Sequence, residues 1–122
     1  MLSRACCPAL GLEWVGPTAV VRLPEGDLLD QKASSAVGDL LFGLVDRLMA
    51  GQTILLDFSN VVRVTSAFVA KLIGLHKRLQ ARGGRLAVCN ANAIITGVFR
   101  LLALESLFGI YAKEQDALQS LQ

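Results

Sequence analysis

Apolar residues along this chain follow two rhythms that alternate. Thr18 to Leu23 (TAVVRL), Thr53 to Leu56 (TILL) and Arg85 to Cys89 (RLAVC) are short, apolar and partly β-branched runs bounded by turn residues, which predicts strands. Between them Ala36, Val37, Leu40, Leu41, Leu44, Val45 and Leu48 keep helical spacing. They predict a helix from about Ser34 to Met49, closed at Ala50-Gly51-Gln52, where Gly51 suits a left-handed cap. A second helix is expected over Ser66 to Ala81, stopped by Gly83-Gly84, a third over Ala93 to Leu102 and a last one over Glu114 to Leu121. Ile110 to Ala112 suits a short strand, and Leu12 to Val15 can pair back on Thr18 to Leu23 across Gly16-Pro17. Pro24-Glu25-Gly26-Asp27 reads as a turn. There is no internal repeat and no low-complexity linker.

Strand-helix alternation implies parallel neighbours joined by crossovers. The strands after residue 52 are continuous apolar runs rather than alternating ones, as expected when helices cover the sheet. The first hairpin would add an antiparallel edge. The expectation is a single α/β domain over residues 12–122, with a small mixed, mostly parallel sheet packed with about four helices. Residues 1–11 are expected to be a disordered or poorly ordered tail.

Composition narrows the function. Hydrophobic residues make up 53% of the 122-residue chain, enough for one core, and with aromatics at 6% that core must be aliphatic. A net charge of +2 argues neither for nucleic acid nor for an anionic membrane. The longest apolar stretch, Leu40 to Val45, lies between Asp39 and Asp46, far short of the roughly 20 residues of a spanning helix. Cys6, Cys7 and Cys89 are an odd set with an adjacent pair, which suits a reducing, cytoplasmic setting better than a disulfide framework. No P-loop, dinucleotide fingerprint, zinc spacing or nucleophile with a placed base is present, so no enzyme activity, metal or cofactor is expected.

The chemistry concentrates between Ile54 and His76. Thr65-Ser66 stands where a loop becomes a helix, and a helix start, with unpaired N–H groups and partial positive charge, favours a hydroxyl cap or a phosphate. Ser66 can be the cap, a phosphoacceptor, or both. Asp57, Ser59 and Asn60 follow a strand and Asp30 precedes the first helix. These four could line a polar groove near Ser66, or serve as turn and loop caps. His76, the only histidine, falls on the apolar stripe of the second helix and reads as a partly buried structural residue. Lys71, Arg78 and Arg82 share one face of that helix, either solvated or turned to an acidic partner. Phe68, in the first turn, is either core or an apolar anchor for a partner.

Leu56-Asp57-Phe58-Ser59-Asn60-Val61, Thr65-Ser66-Ala67, Lys71-Leu72-Ile73, Arg82-Gly83-Gly84-Arg85-Leu86 and Leu107-Phe108-Gly109-Ile110-Tyr111, in this order, resemble the core signature of the STAS domain. Gly26-Asp27-Leu28-Leu29-Asp30 fits the segment before that family's first helix. The likeness runs from about Ala19 to Leu118 and is to the bacterial anti-sigma factor antagonists in particular. It implies a non-catalytic partner switch that binds an anti-sigma factor, itself a serine kinase. The kinase ends the complex by phosphorylating the start of the second helix, and a serine phosphatase resets it. Here the phosphoacceptor would be Ser66, with Thr65 beside it, and the partner surface would include Asp30, Asp57, Ser59, Asn60, Phe68 and Lys71. A homodimer is compatible with this reading, while nucleic acid and membrane are not among the implied partners. Where the family typically reads Asp-Ser-Ser-Gly, this chain has Thr65-Ser66-Ala67-Phe68. The loss of the second serine at Ala67 motivates a rival reading, a phosphorylation-independent scaffold or small-ligand-sensing domain. A cytoplasmic piece of an anion transporter is a further family possibility, against which the lack of membrane segments argues.

Overall fold

Two central strands carry the molecule, and both are sealed on both faces. In the computed structural model, which describes residues 11–16, 18–23, 26–28, 31–47 and 51–121, β4 (Thr53–Asp57) is buried along its whole length and β6 (Arg85–Cys89) is buried after Arg85. They pair in parallel, Ile54 beside Leu86 and Leu56 beside Val88. β2 (Thr18–Arg22) adds in parallel on the other side of β4, and β1 (Gly11–Val15) closes that edge antiparallel to β2 through the turn at Gly16. β7 (Gly109–Tyr111) forms the opposite edge, giving the order β1-β2-β4-β6-β7. This is the expected mixed, mostly parallel sheet.

Alternation along each strand sorts the side chains into two unequal layers. Ala19, Val21, Ile54, Leu56, Leu86 and Val88 face α1 (Gln31–Arg47), α2 (Ser66–Ala81) and α3 (Ala93–Leu101). Val37, Leu41 and Val45 of α1, Val69, Leu72, Leu75 and Leu79 of α2, and Ile95 and Phe99 of α3 fill that layer. Phe58, Phe99 and Phe108 meet there edge to face, at centroid separations of 5.8 Å and 6.2 Å. The other face, Val20, Leu55, Ala87 and Cys89, packs against α4 (Glu114–Leu121) through Ala117.

The turns follow from glycine where it is required. Gly51 and Gly83 take φ of +84° and +76°. A Cβ on Gly84 would strike the carbonyl of Gln52, so this position admits only glycine as the turn before β6 closes on the turn before β4.

Several boundaries differ from the sequence reading. The first helix begins at Gln31 rather than Ser34, β4 runs on to Asp57, and the last strand sits one residue earlier, at Gly109–Tyr111. Gly26–Leu28 is a strand, β3, and pairs in parallel with β5 (Val61–Val64), a strand the apolar rhythm does not predict, in a separate two-stranded sheet. Residues 104–106 form a short 3-10 turn after Ala103, which takes a left-handed conformation. Of the expected tail, residues 1–11, the first ten lie outside the described residues, and Gly11 belongs to β1.

Candidate functional site

The start of α2 is built by β5, which delivers Thr65 in extended conformation at φ −90° and ψ 161°. With that backbone, Thr65 is the N-cap. Its Oγ1 accepts the Phe68 N–H at 3.0 Å, and its carbonyl accepts the Val69 N–H at 3.1 Å. Of the two readings open for Ser66, cap and phosphoacceptor, this removes the cap. Only the residue still outside helical φ/ψ can turn its side chain back to the third helical N–H, and that residue is Thr65. Ser66 is the first helical residue and is exposed, as are Ala67 and Ala70 on the same side of the helix. No acidic side chain stands in the first turn, so the positive end of the α2 dipole has no carboxylate neighbour within its own helix.

Phe68 does not act as an anchor. Its exposure is 0%, and it belongs to the main core with Val69 and Leu72. The third helical position points down onto the sheet, so an aromatic ring there is swallowed by the domain.

Asp57 does not line a groove with Ser66 either. It has the opposite strand parity from Ile54 and Leu56, so its carboxylate rises on the α4 face while α2 covers the other. There Oδ2 accepts from Arg22 at 2.8 Å, and Oδ1 accepts from the Ser59 backbone N–H at 2.9 Å and from Asn90 at 3.1 Å. Arg22 also donates to Glu114 at 2.7 Å and to Glu13 at 2.9 Å. Burial alone would raise the Asp57 pKa, but hydrogen bonds from Asn90, Ser59 and Arg22 hold it below its ordinary value of 3.8. The guanidinium of Arg22 is pushed up by its bonds to Glu114 and then Asp57.

Ser59 and Asn60 are exposed at the turn before β5. They lie at the opposite end of that strand from Thr65, a span on the order of 13 Å. Asp30 lies outside the described residues. Leu28 stands beside Val64 in the β3–β5 register, which brings the end of β3 to the start of α2.

The basic face of α2 turns largely to α1. The Lys71 ammonium sits 3.5 Å from Asp39, and its stem lies against Gly38, where a Cβ would collide with it. Arg78 lies 5.0 Å from the centre of the Phe42 ring and 3.2 Å from Asp46. His76 is buried, as its position on the apolar stripe predicts, and burial lowers its pKa so that the ring is neutral at pH 7. The Cys89 thiol, buried and near the Asp57 carboxylate, is pushed up to about 12 and is not a nucleophile at neutral pH.

Sequence reasoning missed the residues that tie α3 to β5, the strand that leads into α2. Asn92 caps α3 by accepting the Ile95 N–H at 2.9 Å, and it donates to the Val62 carbonyl at 2.8 Å, tying α3 to β5. Val62 and Ile94 stay exposed nearby. The β-branched residues Val61, Val62 and Val64 were the only signal for this strand, without an apolar-polar alternation to support it. Among the described residues no three His, Cys, Asp or Glu side chains gather as a metal site, and no helix is long and apolar enough to cross a membrane.

A family model for the STAS domain matches residues 21–117. No curated protein matches the chain. Among solved structures the chain is similar to an anti-sigma-factor antagonist (STAS) domain protein from Planctomyces limnophilus, at a TM-score of 0.80 and 15% identity over 92% of this chain and 97% of that one. It is similar to an anti-sigma factor antagonist from Mycobacterium paratuberculosis, at 0.79 and 20% over 98% of each chain. It is also similar to the Bacillus cell fate determinant SpoIIAA in its phosphorylated form, at 0.69 and 25% over 93% of this chain and 100% of that one.

Proposed function

The chain belongs to the STAS domain family, and we propose that it is a partner-switching module of the anti-sigma factor antagonist type, working in the cytoplasm where ATP and sigma factors meet. In this reading its unphosphorylated form binds a serine kinase of the anti-sigma type over the surface around the start of α2. Phosphorylation of Ser66 by that kinase ends the complex, and a serine phosphatase restores it. The observation that carries the reading is the division of labour between two neighbouring hydroxyls. Thr65 caps the helix, and Ser66 stands exposed one residue on with no part in the cap.

The physics of the switch follows. A phosphate on Ser66 brings about −1.5 to −2 charges to a helix start that has no acidic neighbour in its first turn, so the fold tolerates it. The complex does not, because a partner seated there must strip water from a doubly charged group, a penalty of several kcal/mol. Exposed Ala67 and Ala70 on the same side of α2 as Ser66 supply a small apolar surface for that partner. The chain itself contributes no catalysis in this scheme. A neutral buried imidazole and a buried high-pKa thiol fit that role.

The test is mass spectrometry after incubation with ATP-Mg and an anti-sigma serine kinase from the same source. Phosphate on Ser66, lost in Ser66→Ala and kept in Thr65→Ala, is the expected result. Phosphate confined to Thr65, or none from a kinase active on another substrate, would instead favour the phosphorylation-independent scaffold.

A further inference from the structure

A cleft of about 250 Å³ opens at the end of α2 opposite Ser66, between that helix and the segment leading into β7. Ser66 and His76 are ten residues apart on one helix, on the order of 15 Å, so the cleft is separate from the proposed switch surface. Its lining includes His76, Arg85, Ser106, Phe108, Gly109 and Tyr111.

Three features mark it as built to hold something. First, His76, only 8% exposed, is a buried wall residue, and its Nδ1 is sealed from solvent and so from the cleft. Its ring neighbour is Phe108, another lining residue of the cleft, at 5.9 Å. Second, the Tyr111 ring folds back over Gly109 so closely that a Cβ there would lie 2.6 Å from it, and the phenol is pinned by a 2.9 Å bond to Ser120. The aromatic wall is therefore fixed in place. Third, Arg85 lines the cleft while exposed and without an ion pair to any described residue, and no acidic side chain is among the described lining residues.

From these features we infer that the cleft binds a small organic carboxylate with a planar apolar body. The guanidinium of Arg85 pairs with the carboxylate through two parallel N–H donors, and the body lies against Phe108 and Tyr111 beside His76. A cleft of about 250 Å³ has room for a single substituted ring.

The probe is benzoate, with benzamide as its uncharged isostere and inorganic phosphate as an anion lacking the apolar body. Each is titrated into the full chain to about 10 mM, tenfold above a 1 mM Kd, while amide and imidazole resonances are followed. Benzoate is expected to shift the amides of Arg85 and of Ser106 to Gly109, together with the His76 ring signals. It should bind at least about tenfold more tightly than benzamide or phosphate. Arg85→Gln, a change at an exposed side chain, should weaken benzoate by roughly tenfold or more with the rest of the spectrum unchanged, and His76→Phe should weaken it without abolishing it. Absence of benzoate shifts, equal binding of benzamide or phosphate, or full binding by Arg85→Gln each overturns the inference. No kinase enters the experiment, so its failure leaves the Ser66 reading where it was.

Discussion

The polar cluster around Asp57 and the start of α2 both lie next to the central sheet, and both are rich in the residue types that recognition uses. They are opposites in structure. Around Asp57 each polar group is answered from within. Arg22 spans Glu13, Asp57 and Glu114, while Asn90 and the Ser59 N–H complete the carboxylate. At the start of α2 the inward needs are met by Thr65 and Phe68, and the Ser66 hydroxyl is left to solvent. The first arrangement stabilises the fold and offers a partner little, because its charges are already paired. The second stabilises little and leaves a modifiable group in reach. Polar density is therefore a poor guide to a regulatory site, and unused polar capacity at the surface is a better one.

The sharpest way to break this contrast is to remove Asp57. Asp57→Ala deletes three hydrogen bonds to a buried carboxylate, loosens Asn90 from its left-handed backbone at φ 61°, and leaves Arg22 with only its outer partners. The expected loss is about 3 kcal/mol, seen as a drop of roughly 10 °C in Tm. The cluster also has a pH signature. Asp57 has a folded-state pKa below its ordinary 3.8, so its stabilisation is fully present above that value and disappears as pH falls through the lower folded value. Denaturant melts from pH 6 down to about pH 2 should show an acid limb that Asp57→Asn flattens. A Tm change below that of an ordinary surface substitution would show that the cluster is not structural.

The complementary test belongs to the other region. Ser66→Asp is expected to leave Tm nearly unchanged and to weaken kinase binding by ten- to a hundredfold, about 1.4 to 2.8 kcal/mol. Aspartate carries less charge than phosphate, so complete loss is not required. Calorimetric titration against the kinase measures it. A large fall in Tm with unchanged affinity would invert the comparison.

These contrasts also explain what the sequence could and could not reveal. The helix Ser66–Ala81 was legible to both ends because Phe68, Val69, Leu72, Leu75, His76 and Leu79 keep one stripe and Gly83 ends it. β4 and β6 were legible as unbroken apolar runs. β5 was not, because only one of its four residues is buried and it pairs with a three-residue strand outside the main sheet. The 3-10 turn at 104–106 hides in an apolar stretch that continues the helical pattern until Ala103 breaks it. The pairing of Asp57 was invisible for a different reason. Its partner Arg22 is 35 residues away, Glu114 lies 92 residues from Arg22, and no local rhythm reports which face of a sheet such residues share. The choice of cap between Thr65 and Ser66 turned on a single backbone angle, finer than any spacing rule resolves.

That one-residue distinction gives the smallest and most discriminating expectation. Thr65 holds the Phe68 N–H, so Thr65→Ala should cost about 0.5–2 kcal/mol, while Thr65→Ser, which keeps the hydroxyl, should recover most of it. Ser66 is exposed and makes no capping bond, so Ser66→Ala should fall within about 0.5 kcal/mol of the parent. Chemical denaturation of the three variants side by side decides between them. If Ser66→Ala were the costlier change, the cap would belong to Ser66. Phosphorylating that residue would then unfold the first turn of α2, and the switch would act through the fold rather than through the partner surface.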